Sequence, residues 1–191
     1  LVNKRNESLV PNLIDPSNTW RYVGLANIES NTGKYDVVEV YGNQIKSTVG
    51  LFKKGDVVFS KLRPELRKSF VSIDEDDAYV SSECFVLTIS DRETILPGYL
   101  SFILRSDLVY GQIVYQISGT GRPRISYAAI QNLQIPVPSL SVQNRIIEQQ
   151  IDAQNKYQNH LKKSRVELKK AKEVIEQAEI SATQLICTNT I

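Results

Sequence analysis

Apolar residues follow three different spacings along this chain. Up to Ile89 they come in short β-branched and aromatic runs separated by turn residues, the pattern of buried strands. The first 18 residues are polar and broken by Pro11 and Pro16, which predicts an irregular lead-in. A strand is expected from Trp20 to Ile28, a turn at Asn31-Thr32-Gly33-Lys34, and a second strand from Tyr35 to Tyr41. Lys54-Gly55-Asp56 should turn the chain into Val57-Val58-Phe59, with a basic loop and a strand from Ser69 to Ile73 beyond it. Tyr79 to Ile89 reads as one buried strand centred on Cys84-Phe85-Val86-Leu87.

The spacing becomes helical after Pro97-Gly98. Tyr99, Leu100, Ile103 and Leu104 recur at helical intervals, as do Leu108, Ile113 and Ile117, with Ser106-Asp107 placed to cap the second group. Two glycines and a proline in Ser118-Gly119-Thr120-Gly121-Arg122-Pro123-Arg124 require a loop. Ser126 can cap a short helix to Gln131, and Leu133 to Val137 is a brief extended segment closed by Pro136 and Pro138. Strands first and helices later define an α+β domain, assigned to residues 1–140.

From Ser141 onward the chain contains neither Gly nor Pro. Steps of three and four residues join Ile147, Gln150, Gln154, Tyr157, Leu161, Ser164, Leu168, Ala171, Ile175, Ala178, Ala182 and Leu185, and most of the residues between are polar. A 3.5-residue period marks a coiled-coil seam, so residues 141–187 are expected to form one long helix, about 68 Å for 45 residues at 1.5 Å each. Ser141 is the expected N-cap, although Asn144 stands where a capping box would have Glu. Gln150, Gln154 and Ser164 interrupt the seam and could fix register and orientation.

Composition narrows the class. The chain has 191 residues, 41% hydrophobic and 23% charged, as in a soluble globular protein. No apolar run is long enough to cross a bilayer and no basic-then-apolar signal opens the chain, so cytoplasm is the expected location. Cys84 and Cys187 have no metal-ligand spacing and read as reduced thiols. Residue 1 is Leu and there is no Met, which fits a piece of a longer chain or a trimmed one.

The net charge of +2 conceals sorting. Residues 1–141 hold 15 basic and 15 acidic side chains. Lys46, Lys53, Lys54, Lys61, Arg63, Arg67 and Lys68 nevertheless outnumber Asp56 and Glu65 by five, and Asp74-Glu75-Asp76-Asp77 follows. Such sorting allows a basic face for nucleic acid, or two solvated loops of opposite sign. Signals for an enzyme are weak. His160 lies in the charged helix, no phosphate-binding glycine motif occurs, and Asp15-Pro16-Ser17-Asn18 lacks the second proline and the aromatic residue of a methyltransferase loop. Glu167-Leu168-Lys169 has a nuclease-like spacing but falls inside the seam pattern.

Signals for binding are stronger. Lys61-Leu62-Arg63-Pro64-Glu65-Leu66-Arg67-Lys68 puts four cations on a loop stiffened by proline, and guanidinium groups there can contact phosphates or guanine edges. Arg122 and Arg124 bracket Pro123 in a Gly-rich loop that a ligand can approach closely. The alternative for Arg63 or Arg124 is an internal ion pair with Glu83 or Glu65. The Thr32-Gly33-Lys34 turn is a third basic tip.

Several segments together resemble type I restriction-modification specificity subunits. Gly55-Asp56-Val57-Val58-Phe59-Ser60-Lys61-Leu62-Arg63-Pro64 is similar to that family's GD-(apolar)2-F-x-KLRP segment, and Ser81 to Leu87 to its SSE-x-F-V-L strand. Thr120 to Ser126 resembles its TG-x-x-R-I-S loop. Ile135-Pro136-Val137-Pro138 with Gln143, Arg145 and Ile146 resembles the entry into its long helix. Tyr22-Val23-Gly24-Leu25 through Glu29-Ser30-Asn31-Thr32-Gly33 fits the opening of such a unit. These segments stand in the family's order over about residues 20–185. One departure is Ser141-Val142, where the family usually has Glu-Glu.

The resemblance implies a non-catalytic target-recognition domain that reads one half of a split site in double-stranded DNA, with Thr32, Lys34, Lys61, Arg63, Arg67, Lys68, Thr120, Arg122 and Arg124 as the DNA-facing residues. It implies docking to methyltransferase subunits, joined by restriction subunits, with S-adenosylmethionine, ATP and magnesium bound in those partners and no cofactor here. A full subunit has two recognition domains and two antiparallel helices, so one of each suggests a half that pairs with a second half, as a homodimer through an antiparallel coil. Two other readings remain open: the specificity domain of a fused methyltransferase-endonuclease, and a coiled-coil interaction protein with no DNA role.

Overall fold

In the computed structural model, which describes residues 1–188 and side chains through residue 184, Val57-Val58-Phe59-Ser60 is buried throughout. This is strand β6 in a chain whose elements run β1 (Val2–Lys4), β2 (Ser8–Leu9), β3 (Thr19–Val23), β4 (Val38–Tyr41), β5 (Val49–Phe52), β6, β7 (Ser69–Val71), β8 (Ala78–Ser81) and β9 (Cys84–Ile89). Four α-helices follow, α1 (Pro97–Leu104), α2 (Asp107–Ile113), α3 (Tyr127–Gln131) and α4 (Leu140–Thr188). The fold is α+β.

The strands form two sheets, ordered β1-β9-β6-β7 and β2-β5-β8-β3-β4. All pairings are antiparallel except β3 with β8. Alternation along a strand distributes side chains between layers. In β6 and β9, Val57, Phe59, Phe85 and Leu87 pack against Tyr99, Leu100, Ile103, Leu104, Val109 and Ile113 of the helices. Val58 and Val86 point the other way and meet Val23, Phe52, Phe70 and Val80 between the sheets. Each fully buried side chain of this size contributes roughly 1.5–3 kcal/mol by leaving water. The Tyr35 ring stacks on Phe70 with centroids 3.9 Å apart, which closes that layer. A third cluster, Ile14, Ile45 and Val49 with Trp20 and Tyr79, covers the outer face of the second sheet.

Several sequence expectations are corrected by this arrangement. The lead-in is irregular only in part: β1 pairs with β9 and β2 with β5, because short edge strands need only backbone partners. Arg5 between them is clamped by Asp56, Nε to Oδ2 at 2.7 Å and Nη2 to Oδ1 at 3.0 Å. The expected strand from Trp20 to Ile28 ends at Val23, and Leu25–Asn27 forms a short 3-10 helix. The run from Tyr79 to Ile89 is two strands in different sheets, separated at Ser82-Glu83. Strand β5, Val49–Phe52, is an element that the sequence pattern does not predict.

Two of the three expected serine caps are present: Ser106 Oγ accepts from Val109 N–H at 3.4 Å and Ser126 Oγ from Ala129 N–H at 3.2 Å. Helix α4 starts at Leu140, with Ser139 O rather than Ser141 receiving the first N–H groups, those of Val142 and Gln143 at 3.0 Å each. Gln143 is fully buried. Its Nε2 donates to Thr94 O and Pro138 O, both at 2.8 Å, and its Oε1 accepts from Leu96 N–H at 2.9 Å. Ile147 packs on Gly98, where an added Cβ would lie 3.0 Å from Ile147 Cδ1.

The chain divides into two compact units after Ile147. In the second unit, Tyr157, Leu168, Ala171, Ile175 and Ala178 are exposed and Leu161 is half-buried. Leu168 and Ile175 are 59% and 60% exposed among the described residues. Leu185, the last seam position, lies outside the described side chains. Asp152–Lys156 at 3.5 Å and Lys169–Glu173 at 3.7 Å lie along the helix surface as i,i+4 ion pairs.

Candidate nucleic-acid interface

Strand β6 delivers the chain into the basic loop, and two left-handed residues shape it. Arg63 has φ 49° and ψ 62°, and Arg67 has φ 50° and ψ 42°, either side of a 3-10 turn at Pro64–Leu66. A residue before proline prefers extended backbone, and a left-handed non-glycine residue costs about 1–2 kcal/mol. Arg63 is held there by its N–H, which donates to Pro123 O at 2.8 Å, and by its carbonyl, which accepts from Leu66 N–H at 2.9 Å. The Arg63 side chain is left exposed.

That bond to Pro123 joins two loops that the sequence marks separately. Ile125 N–H donates to Lys61 O at 3.0 Å, and Ser118 and Arg124 exchange backbone bonds at 2.8 and 2.9 Å. Gly119 and Gly121, with φ of 98° and 79°, turn the chain between them. Glu83 anchors the junction from beneath: its carbonyl accepts from Lys61 N–H at 2.9 Å, and its carboxylate receives Arg124 Nε at 2.9 Å and Nη2 at 2.6 Å. Arg124 therefore takes the internal ion pair, with Glu83 as its partner. That hydrogen bond is the main reason the Glu83 carboxyl is held below its usual range.

The remaining cations fall into distinct settings. Arg63, Lys68 and Arg122 line an open cleft of about 460 Å³ with Leu25, Leu62 and Leu66. Arg63 and Arg122 are exposed, and neither side chain has a hydrogen bond or ion pair among the described residues. Lys68 Nζ donates to Leu25 O at 2.6 Å, and burial lowers its pKa. Lys61 Nζ lies 5.6 Å from the Phe85 ring centroid. Arg67 donates to Asp107 Oδ1 at 2.6 Å and lies over the Tyr110 ring at 5.0 Å. Thr120 is exposed on the Gly-rich loop. Lys53 and Lys54 do not join this group, since they pair with Asp77 and Glu75 of the acidic block.

The third basic tip is a tight turn closed by an Ile28–Tyr35 bridge and by Glu29 N–H donating to Lys34 O at 3.0 Å. Thr32 Oγ1 accepts from Lys34 N–H at 3.2 Å, so Thr32 shapes the turn. Asn31 and Gly33 have φ of 60° and 83°. Gly33 rests on a residue that no sequence pattern singles out, Arg105. A Cβ on Gly33 would lie 2.8 Å from Arg105 Nη1 and 2.9 Å from Cζ. Arg105 is 6% exposed, and its Nη1 donates to Ser69 O at 3.0 Å and Ser101 Oγ at 2.7 Å.

A domain of balanced charge that gathers unpaired guanidinium groups on two stitched loops is suited to a polyanion met at a defined place. The protein class is that of DNA-specificity modules: the family described as "Type I restriction modification DNA specificity domain" matches residues 16–170, and the chain belongs to it. Among individual proteins, the type I restriction enzyme HindI specificity subunit of Haemophilus influenzae (strain ATCC 51907 / DSM 11121 / KW20 / Rd) is 29% identical over 100 residues, 50% of this chain and 21% of that protein. The crystal structure of the HsdS subunit from Thermoanaerobacter tengcongensis superposes with a TM-score of 0.65 at 27% identity, covering 91% of this chain and 44% of that one. A chain from "Structural basis underlying complex assembly and conformational transition of the type I R-M system" gives 0.66 at 25% identity, covering 96% and 49%. The chain thus spans less than half the length of each of these proteins. Among the described residues no helix is long and apolar enough to cross a membrane.

Proposed function

We propose that this chain reads one half of a split double-stranded DNA target and spaces that reading head from a second one, without catalysing a reaction itself. The observation that carries the reading is the backbone bond between Arg63 and Pro123, which brings Arg63 and Arg122 to one cleft on a family-matched specificity domain. Arg63, Arg122 and Lys34 make the DNA contacts in this scheme, Lys61 and Lys68 add positive potential, and Arg124, Arg67 and Thr32 hold the loops. The uncovered seam from Tyr157 to Ala178 takes the antiparallel helix of a second copy. Methyltransferase subunits dock on the assembled pair, restriction subunits join them, and S-adenosylmethionine, ATP and magnesium are bound there, all in the cytoplasm.

Selection from a random duplex pool tests this, with the chain alone and with methyltransferase subunits added. An enriched, interrupted sequence is expected, bound more weakly by Arg63→Ala and Arg122→Ala at unchanged melting temperature. No enrichment over scrambled duplex in either form would overturn the reading.

A further inference from the structure

Arg105 carries a charge that the fold does not neutralise. Burying a guanidinium is costly unless it is paired, and its partners here are a carbonyl and a hydroxyl with no carboxylate among the described residues. Burial lowers its pKa to about 10, which leaves it protonated at neutral pH. A neutral side chain would fill the same space with less desolvation. What the guanidinium adds is directed donors and a positive field.

Its contacts join three elements. Ser69 opens β7 directly after the basic loop, Ser101 lies one turn back in α1, and Gly33 forms the tip of the 31–34 turn. Gly33 is constrained twice, by its left-handed φ of 83° and by the 2.8 Å approach that any Cβ would make to Nη1.

We propose that Arg105 is a positioning residue for DNA reading: packed beneath Gly33 and bonded to Ser69 and Ser101, it holds the Asn31–Lys34 turn in fixed register with the Lys61–Lys68 loop, so that Lys34 and Arg63 meet one duplex together. The inference rests on the DNA-reading role above. Arg105 itself touches no base or phosphate; it acts through the turn and through the charge beneath it.

Coupling provides the test. Affinities of the 191-residue chain are measured for a duplex selected from a random pool and for its scrambled counterpart, in variants Arg105→Met, Arg105→Lys, Lys34→Ala and Arg122→Ala and in the doubles. Arg105→Met is expected to lower affinity for the selected duplex by about tenfold with little change on the scrambled one, and Arg105→Lys to restore part of the loss. Lys34→Ala should cost severalfold in the parent chain and almost nothing in the Arg105→Met background, whereas Arg122→Ala costs the same in both. Parent-like selectivity in Arg105→Met, or additive effects of Lys34→Ala and Arg105→Met, would overturn the proposal. If the parent chain selects no duplex either alone or with methyltransferase subunits added, the DNA-reading role fails by itself and amide hydrogen exchange decides the positioning. Faster exchange at residues 31–34 in Arg105→Met with β6 unchanged supports it, and unchanged exchange overturns it.

Discussion

Arg124 and Glu83 meet fork to fork, with Nε and Nη2 of the guanidinium each donating to a different carboxylate oxygen. Glu83 sits at the break between β8 and β9, and Arg124 closes the Gly-rich loop, so this pair ties the sheet crossing to the loop that presents Arg122. Hydrogen bonding to Arg124 is the leading cause of the lowered Glu83 pKa. A depressed carboxylate stabilises the fold above its unfolded pKa, and that contribution is lost as pH falls through the lower folded value. The melting temperature of Glu83→Gln should therefore lie below the parent's at pH 7, and the two should converge in acid. A constant gap from pH 7 to pH 2 would contradict the linkage.

Gln143 makes three buried hydrogen bonds at the base of α4. Replacing it with Leu orphans Leu96 N–H and the Thr94 and Pro138 carbonyls, and should lower stability by about 3 kcal/mol. Urea unfolding followed at Trp20, which lies in the first unit, measures this directly.

Cys84 should be inert. Desolvation pushes its thiol pKa up to about 12, so the reactive thiolate is scarce at neutral pH. In a Cys187→Ser background, iodoacetamide should label Cys84 far more slowly at pH 8 than it labels a free cysteine peptide, with labelling restored by denaturant.

Leu168 and Ile175 occupy the exposed seam at equivalent heptad positions. Leu168→Glu or Ile175→Glu should convert a dimer to monomer in light scattering while leaving the melting of the first unit unchanged. Inserting one heptad adds about 10 Å, so the preferred spacer in selected duplexes should lengthen by roughly three base pairs at ~3.4 Å each. Unchanged spacing would sink the idea of a ruler.

Arg122→Ala should flatten the dependence of log affinity on log salt by about one unit if Arg122 neutralises a phosphate. An unchanged slope would place it off the backbone.

Local rules made some features legible in the sequence and non-local ones hid the rest. The helices of the second half and the caps Ser106 and Ser126 follow from nearby spacing, as do the turns at Gly33 and Gly55. The break after Ser81 could not be read, because an apolar run looks alike whether it stays in one sheet or crosses to another. Strands β1 and β2 escaped for the opposite reason, since polar edge strands need only backbone pairing. For the site, both basic loops were visible as loops, but their union through Arg63 and Pro123 depends on residues 60 positions apart. Arg105 left no signal, being one polar residue at the end of an apolar helix.

The position of the Gln143 clasp also determines where such a molecule can be cut and rejoined. The proline-rich stretch before Leu140 looks like the natural seam for exchanging one head for another. A crossover there would separate Gln143 and Ile147 from the Thr94, Leu96 and Gly98 surfaces they fit. Interchangeable heads should instead carry the opening of α4 with them, with the junction placed after Ile147.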